Sequence, residues 1–126
     1  MRIEKGIYYS KDHVWLRLDG DTGYIGITDY AQDSVGDIEF IDLPAIGDDF
    51  IAGDVLGVVE SAKAASDIYM PVDGKILNVN KIVSENPVIV NEEPYENWLV
   101  AVEIKNKSQI DELLTDEQYK EFLVNE

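Results

Sequence analysis

Lys63 is the residue in this sequence best suited to covalent chemistry. It is the only basic side chain between Leu18 and Gly74, a stretch that carries thirteen acidic residues. Its amine sits on a four-carbon stem, where it has reach and can be acylated. The neighbours are small: Glu60-Ser61-Ala62-Lys63-Ala64-Ala65-Ser66 separates the apolar run Val55-Leu56-Gly57-Val58-Val59 from Asp67-Ile68-Tyr69-Met70. Two strand-like runs joined by a short Ser/Ala turn predict a hairpin with the lysine at its apex, facing water and flanked by nothing bulky. The competing reading is a solvated lysine paired with Glu60 or Asp67, a contact of little energetic weight.

Other chemistries find less support. The chain has no cysteine, so it supplies no disulfide, thiol nucleophile or thiolate ligand, and any sulfur redox chemistry must be imported. His13 is the only histidine, which excludes a histidine metal cluster; on a strand edge it is expected to cover part of the core. The carboxylates are scattered along turns and strand edges, as solvated surface groups usually are. Gly20, Gly23, Gly26 and Gly36 lack the spacing of a phosphate loop, and the aromatic residues lack the basic neighbours that nucleotide stacking needs.

The elements that must position the lysine read mostly as strands. Tyr8-Tyr9 and His13 to Leu18 lead through Asp19-Gly20-Asp21-Thr22-Gly23 into Tyr24 to Ile27, a hairpin pattern. Thr28 is placed to cap a short helix over 29–34, with Gly36 expected to end it in a left-handed conformation. Asp37 to Leu43 reads as a polar/apolar alternation, predicting a strand with one buried face that Pro44 closes. Lys75 to Asn80, Val88-Ile89-Val90 and Trp98 to Ile104 are further candidate strands. Ser108 to Asp111 opens one helical segment, and Thr115-Asp116-Glu117-Gln118 reads as a capping box for another, so helix is expected near 109–124. Many short strands suggest a small sandwich or barrel.

With 126 residues the chain suits one domain spanning 1–126. Its formal net charge of -16 opposes binding to nucleic acid or anionic membranes and favours partners with basic faces. No apolar leader, transit segment or spanning run is present, which makes a cytoplasmic location the simplest expectation.

Gly57-Val58-Val59-Glu60-Ser61-Ala62-Lys63-Ala64-Ala65-Ser66-Asp67-Ile68-Tyr69-Met70-Pro71-Val72-Asp73-Gly74 resembles the lipoylation region of the glycine cleavage system H proteins. Tyr9-Ser10-Lys11-Asp12-His13, Gly26 to Gln32, Gly36-Asp37-Ile38, Leu43-Pro44, Val90-Asn91 and Pro94-Tyr95 extend the likeness over nearly the whole chain. The resemblance implies a mainly β, lipoyl-type barrel-sandwich hybrid of two small antiparallel sheets. It also implies lipoate in amide linkage on Lys63, with Glu60, Ser61 and Asp67 serving recognition by the modifying enzyme or orientation of the arm. For Ser61, capping of the hairpin is the structural alternative.

By the same resemblance the protein is a non-catalytic shuttle of glycine catabolism and one-carbon metabolism. A pyridoxal-phosphate glycine decarboxylase would load its arm with an aminomethyl group, a tetrahydrofolate-dependent aminomethyltransferase would take the carbon, and dihydrolipoamide dehydrogenase would reoxidise the dithiol. A lipoate ligase or a lipoyl/octanoyl transferase would install the arm. The chain departs from the family pattern at Val14, where an acidic residue is usual, at Glu96, where glycine is usual, and at Ala62, where valine is usual. The alternatives are an H-like protein relaying lipoate to 2-oxoacid dehydrogenase complexes and an unmodified acidic interaction module. A biotin carrier is disfavoured, because Ala62 and Ala64 stand where methionines are expected.

Overall fold

A computed structural model describes residues 1–126, and the alternating apolar positions fold into nine strands arranged in two antiparallel sheets. In chain order the strands are β1 (Tyr8–Tyr9), β2 (Val14–Asp19), β3 (Thr22–Ile27), β4 (Ile38–Asp42), β5 (Asp49–Phe50), β6 (Val55–Ser61), β7 (Ala65–Tyr69), β8 (Gly74–Val79) and β9 (Val100–Ile104). The helices are α1 (Asp29–Val35), α2 (Lys81–Glu85), α3 (Val88–Glu92) and α4 (Asp116–Val124), with a 3₁₀ helix over Lys107–Glu112. The larger sheet has the order β1-β2-β3-β9-β8-β5, and the smaller one is β4-β6-β7.

The inward faces share one core. Leu16, Ile25, Ile76, Val100 and Val102 from the larger sheet belong to the same buried cluster as Ile38, Ile41, Leu56, Val59 and Ile68 from the smaller one. Burial of such apolar area, at about 25 cal/mol per Å², is what holds the sheets together. A second cluster consists mainly of aromatic rings. Tyr9, Trp15, Tyr95 and Tyr119 are fully buried, and Tyr9 stacks on Tyr119 at 4.4 Å between ring centroids.

The expected hairpins and both ends of the helical segments are present. Thr28 caps α1 by accepting the Ala31 N–H at 3.2 Å. Thr115 and Gln118 form the reciprocal capping box that opens α4.

Three expectations are corrected. Val88-Ile89-Val90 is not a strand but lies in α3: Pro87 is already helical at φ -57 and ψ -28, and the Asn97 side chain donates to the Ile89 and Glu93 carbonyls at 2.9 and 3.0 Å. Gly36 ends α1 at φ 92 and ψ -161, outside the left-handed helical region and in one open essentially to glycine alone.

The third correction concerns β4, whose alternation breaks at a bulge between Ile38 and Phe40. One extra residue flips the phase, so Ile38 and Ile41 point into the core while Glu39 and Phe40 are both exposed. A one-faced strand would have buried Phe40.

Candidate functional site around Lys63

The hairpin that carries Lys63 is built by antiparallel pairing of β6 with β7, in which Val58 faces Asp67, Val59 faces Ser66 and Glu60 faces Ala65. Beyond that last pair the chain turns through 62–64, and the Ser61 N–H donates to the Ala64 carbonyl at 2.8 Å. Lys63 is exposed at this turn, where the sequence placed it, and its amine makes no ion pair within the chain.

Ser61 holds the turn. Its hydroxyl donates to the Val35 carbonyl at 2.7 Å, and its oxygen accepts the Ala64 N–H at 3.1 Å and the Lys63 N–H at 3.4 Å. These bonds are those of hairpin capping, the structural alternative for Ser61. The hydroxyl ties the lysine turn to the C-terminal carbonyl of α1, one of the carbonyls a helix leaves without an internal partner.

Glu60 and Asp67 are exposed and make no side-chain hydrogen bond or ion pair. Both lie on the outward face of the small sheet: Phe40, Glu60 and Ala65 form one cross-strand row, and Asp42, Val58 and Asp67 form the next. Their carboxylates remain available to a partner.

Several contributors were not legible as site residues. The Lys63 stem passes over Gly36 so closely that a Cβ there would lie 3.0 Å from Cε and 3.5 Å from Nζ. Its backbone angles require glycine at 36, and the absence of a Cβ lets the lysine stem lie close above it. Asn91 locks the corner beneath: its amide donates to the Gln32 side chain and the Gly36 carbonyl, both at 2.8 Å, and its oxygen accepts the Ile38 N–H at 2.9 Å. The available signal was a polar residue closing an apolar run at Val90-Asn91.

Asp33, Gly36, Asp37, Glu39, Ser61, Ala62 and Lys63 together line an open depression of about 510 Å³. It is acidic and shallow. An acyl chain on Lys63 would find room here without displacing a packed side chain, and acylation would remove the one positive charge facing those carboxylates. No group of histidine, cysteine or carboxylate side chains has the geometry to hold a metal ion.

His13 takes a structural place, though not on a strand. It precedes β2 with φ 64, a left-handed backbone unusual for a side-chain-bearing residue. Its Nδ1 lies 2.8 Å from the Tyr119 hydroxyl and its Nε2 2.8 Å from Glu126, while the ring stacks on Tyr30. It joins the C-terminal helix to the core.

Comparison with known proteins gives one consistent result. The family model described as glycine cleavage H-protein matches residues 7–126. The glycine cleavage system H protein 1 of Caldanaerobacter subterraneus subsp. tengcongensis is 59% identical over 123 residues, 98% of each chain. The glycine cleavage system H protein of Thermoanaerobacter sp. strain X514 is 57% identical over 126 residues, covering all of both chains. Among solved structures, a glycine cleavage system H protein from Mycobacterium marinum superposes with a TM-score of 0.87 at 33% identity, covering 94% of this chain and 97% of that one.

Proposed function

This chain belongs to the glycine cleavage H-protein family, and we propose that the group it carries is lipoate in amide linkage to Nζ of Lys63. The family role is that of a non-catalytic lipoyl-bearing shuttle of the glycine cleavage system. The observation that carries the assignment to Lys63 is an exposed, unpaired amine at the apex of a hairpin whose turn is tied to α1 by Ser61 and whose lysine stem passes over Gly36.

Amide formation requires Nζ to lose a proton and attack the carbonyl carbon of an activated lipoyl donor, an acyl adenylate or acyl thioester, with AMP or the thiol leaving. An amine on a fixed turn loses less conformational freedom on entering that reaction than one on a mobile tail. Attached lipoate supplies the redox-active sulfur pair that a cysteine-free chain lacks. The protein's own residues hold the base of the arm: Ser61 fixes the turn, Gly36 leaves a track for the stem, and Glu60 and Asp67 present carboxylates to incoming enzymes.

The enzymes that would use the arm are a pyridoxal-phosphate glycine decarboxylase, a tetrahydrofolate-dependent aminomethyltransferase and a dihydrolipoamide dehydrogenase, with a lipoate ligase or lipoyl/octanoyl transferase installing it. The net charge of -16 supports basic docking faces on them, and a tether converts each docked encounter into a local search at high effective concentration. No helix is long and apolar enough to cross a membrane. We assign the protein to the cytoplasm, where these partners would meet it.

The test is intact-mass and peptide analysis of protein made in a lipoate-competent cell. A lipoyl increment is expected on Lys63 and is expected to vanish in Lys63→Arg, which keeps the charge and the fold. An increment that persists in Lys63→Arg, or lies on another lysine, would overturn the assignment.

A further inference from the structure

We propose that Phe40, with the carboxylates around it on the outward face of β4, β6 and β7, is the docking surface for the enzyme that acylates Lys63, and that this enzyme receives the ring in an apolar socket rimmed by basic residues. The proposal rests on Lys63 being the attachment site.

Phe40 is 53% exposed because the bulge in β4 turns it outward. Bulges commonly re-aim a side chain beside a functional site. The ring faces Glu60 across the strand pair, and Glu60 lies three residues before Lys63. At about 3.3 Å per residue, the Phe40 row lies within roughly 10 Å of the lysine Cα along the hairpin.

That proximity selects the occupant. An enzyme that forms the amide must bring Nζ itself into its catalytic site, so its walls close around the hairpin tip. A specific interface covers about 800 Å² per partner, a disc of roughly 16 Å radius, and one centred on Lys63 includes Phe40. Enzymes that act on the far end of a lipoyl arm need the tip only within the arm's reach, so no such coverage is forced on them.

The chemistry of the socket follows from the surroundings. Glu39, Asp42, Glu60 and Asp67 are exposed on the same sheet, and the only cation between residues 19 and 73 is the lysine being consumed. An aromatic centre within a charged rim is the arrangement in which a few residues dominate an interface, here demanding arginine or lysine opposite. Leu77 offers an internal contrast. It is 44% exposed at an irregularity in β8, on the other sheet, where the lysine hairpin is not part of the face.

The experiment measures lipoylation of the purified unmodified protein by a bacterial lipoate ligase with lipoate and ATP, following the mass increment on Lys63. Phe40→Ala is expected to lower kcat/KM about tenfold or more, mostly through KM, with the melting temperature unchanged; Phe40→Leu is expected to recover most of the loss, and Leu77→Ala to match the unsubstituted chain. Raising the salt should weaken KM for the unsubstituted chain. A Phe40→Ala protein modified with unaltered KM, or a Leu77→Ala protein impaired as strongly, would overturn the docking surface while leaving Lys63 as the attachment site. Absence of any increment on the unsubstituted chain would remove the lipoyl-carrier reading and the docking surface together.

Discussion

The aromatic cluster and the lysine hairpin use polar groups in opposite ways. In the cluster every hydroxyl is engaged: Tyr9 donates to the Glu4 carbonyl at 2.6 Å, Tyr95 to the Arg2 carbonyl at 2.8 Å, and the Tyr119 hydroxyl lies 2.8 Å from Thr28 and from His13. Trp15 donates its ring N–H to the Pro94 carbonyl at 3.1 Å. On the hairpin face, Lys63, Glu60 and Asp67 point outward with no partner in the chain, and only Ser61 is tied down. A carrier has to be rigid where its arm is rooted and unsatisfied where enzymes dock. Helix α1 separates the two regimes, with Thr28 against Tyr119 at one end and Val35 holding Ser61 at the other.

This contrast can be broken most severely by alkali. Burial raises the pKa of Tyr9, Tyr95 and Tyr119 above the ordinary phenol value near 10. A raised folded pKa means that the stabilisation is complete below the unfolded value of about 10 and is lost as pH climbs past it. Each phenol kept neutral by the fold adds a slope of about 1.4 kcal/mol per pH unit there. Denaturant unfolding is therefore expected to steepen in its pH dependence above about 10, with the phenolate absorbance of these three of the seven tyrosines appearing only as the fold is lost. Ionisation of all seven tyrosines in a still-folded protein would show the cluster to be open.

A single truncation should act nearly as strongly. Tyr119→Ala removes a ring stacked on Tyr9 and two hydroxyl contacts, and is expected to cost about 3–5 kcal/mol by denaturant unfolding. The fraction that stays folded should still be acylated on Lys63, because the hairpin's own contacts are intact.

The hairpin should respond in the reverse manner. Gly36→Ala forces a side chain into a backbone region reserved for glycine and against the lysine stem; the expected cost is about 1–3 kcal/mol, with slower modification of Lys63. Ser61→Ala, the mildest change, removes one hydroxyl and is expected to cost about 1 kcal/mol. Its clearer signature would be faster hydrogen exchange at the Ala64 N–H, confined to the turn. A global loss as large as that of Tyr119→Ala would mean that the two regions are not energetically distinct.

Much of this was legible in the chain itself. Short alternating runs, turn clusters and caps announced a small β sandwich or barrel, the resemblance to the H proteins implied its two sheets, and small residues around a lone amine announced an exposed lysine. These features are local: strand period, turn chemistry and capping act over a few residues, and each is written in the residues that perform it.

What only the tertiary structure decided is which residues meet. Val88-Ile89-Val90 carries β-branched residues, yet Pro87 and Asn97, eight residues beyond Ile89, make it helical. Phe40 reads as a core residue until the pairing of β4 with β6 introduces a bulge. The grip on the lysine turn joins Ser61 to Val35, and the floor beneath it joins Gly36 to Asn91, over separations of 26 and 55 residues. Such contacts depend on how two sheets and a helix are placed by the burial of a shared core, a cooperative outcome that no short window of sequence contains.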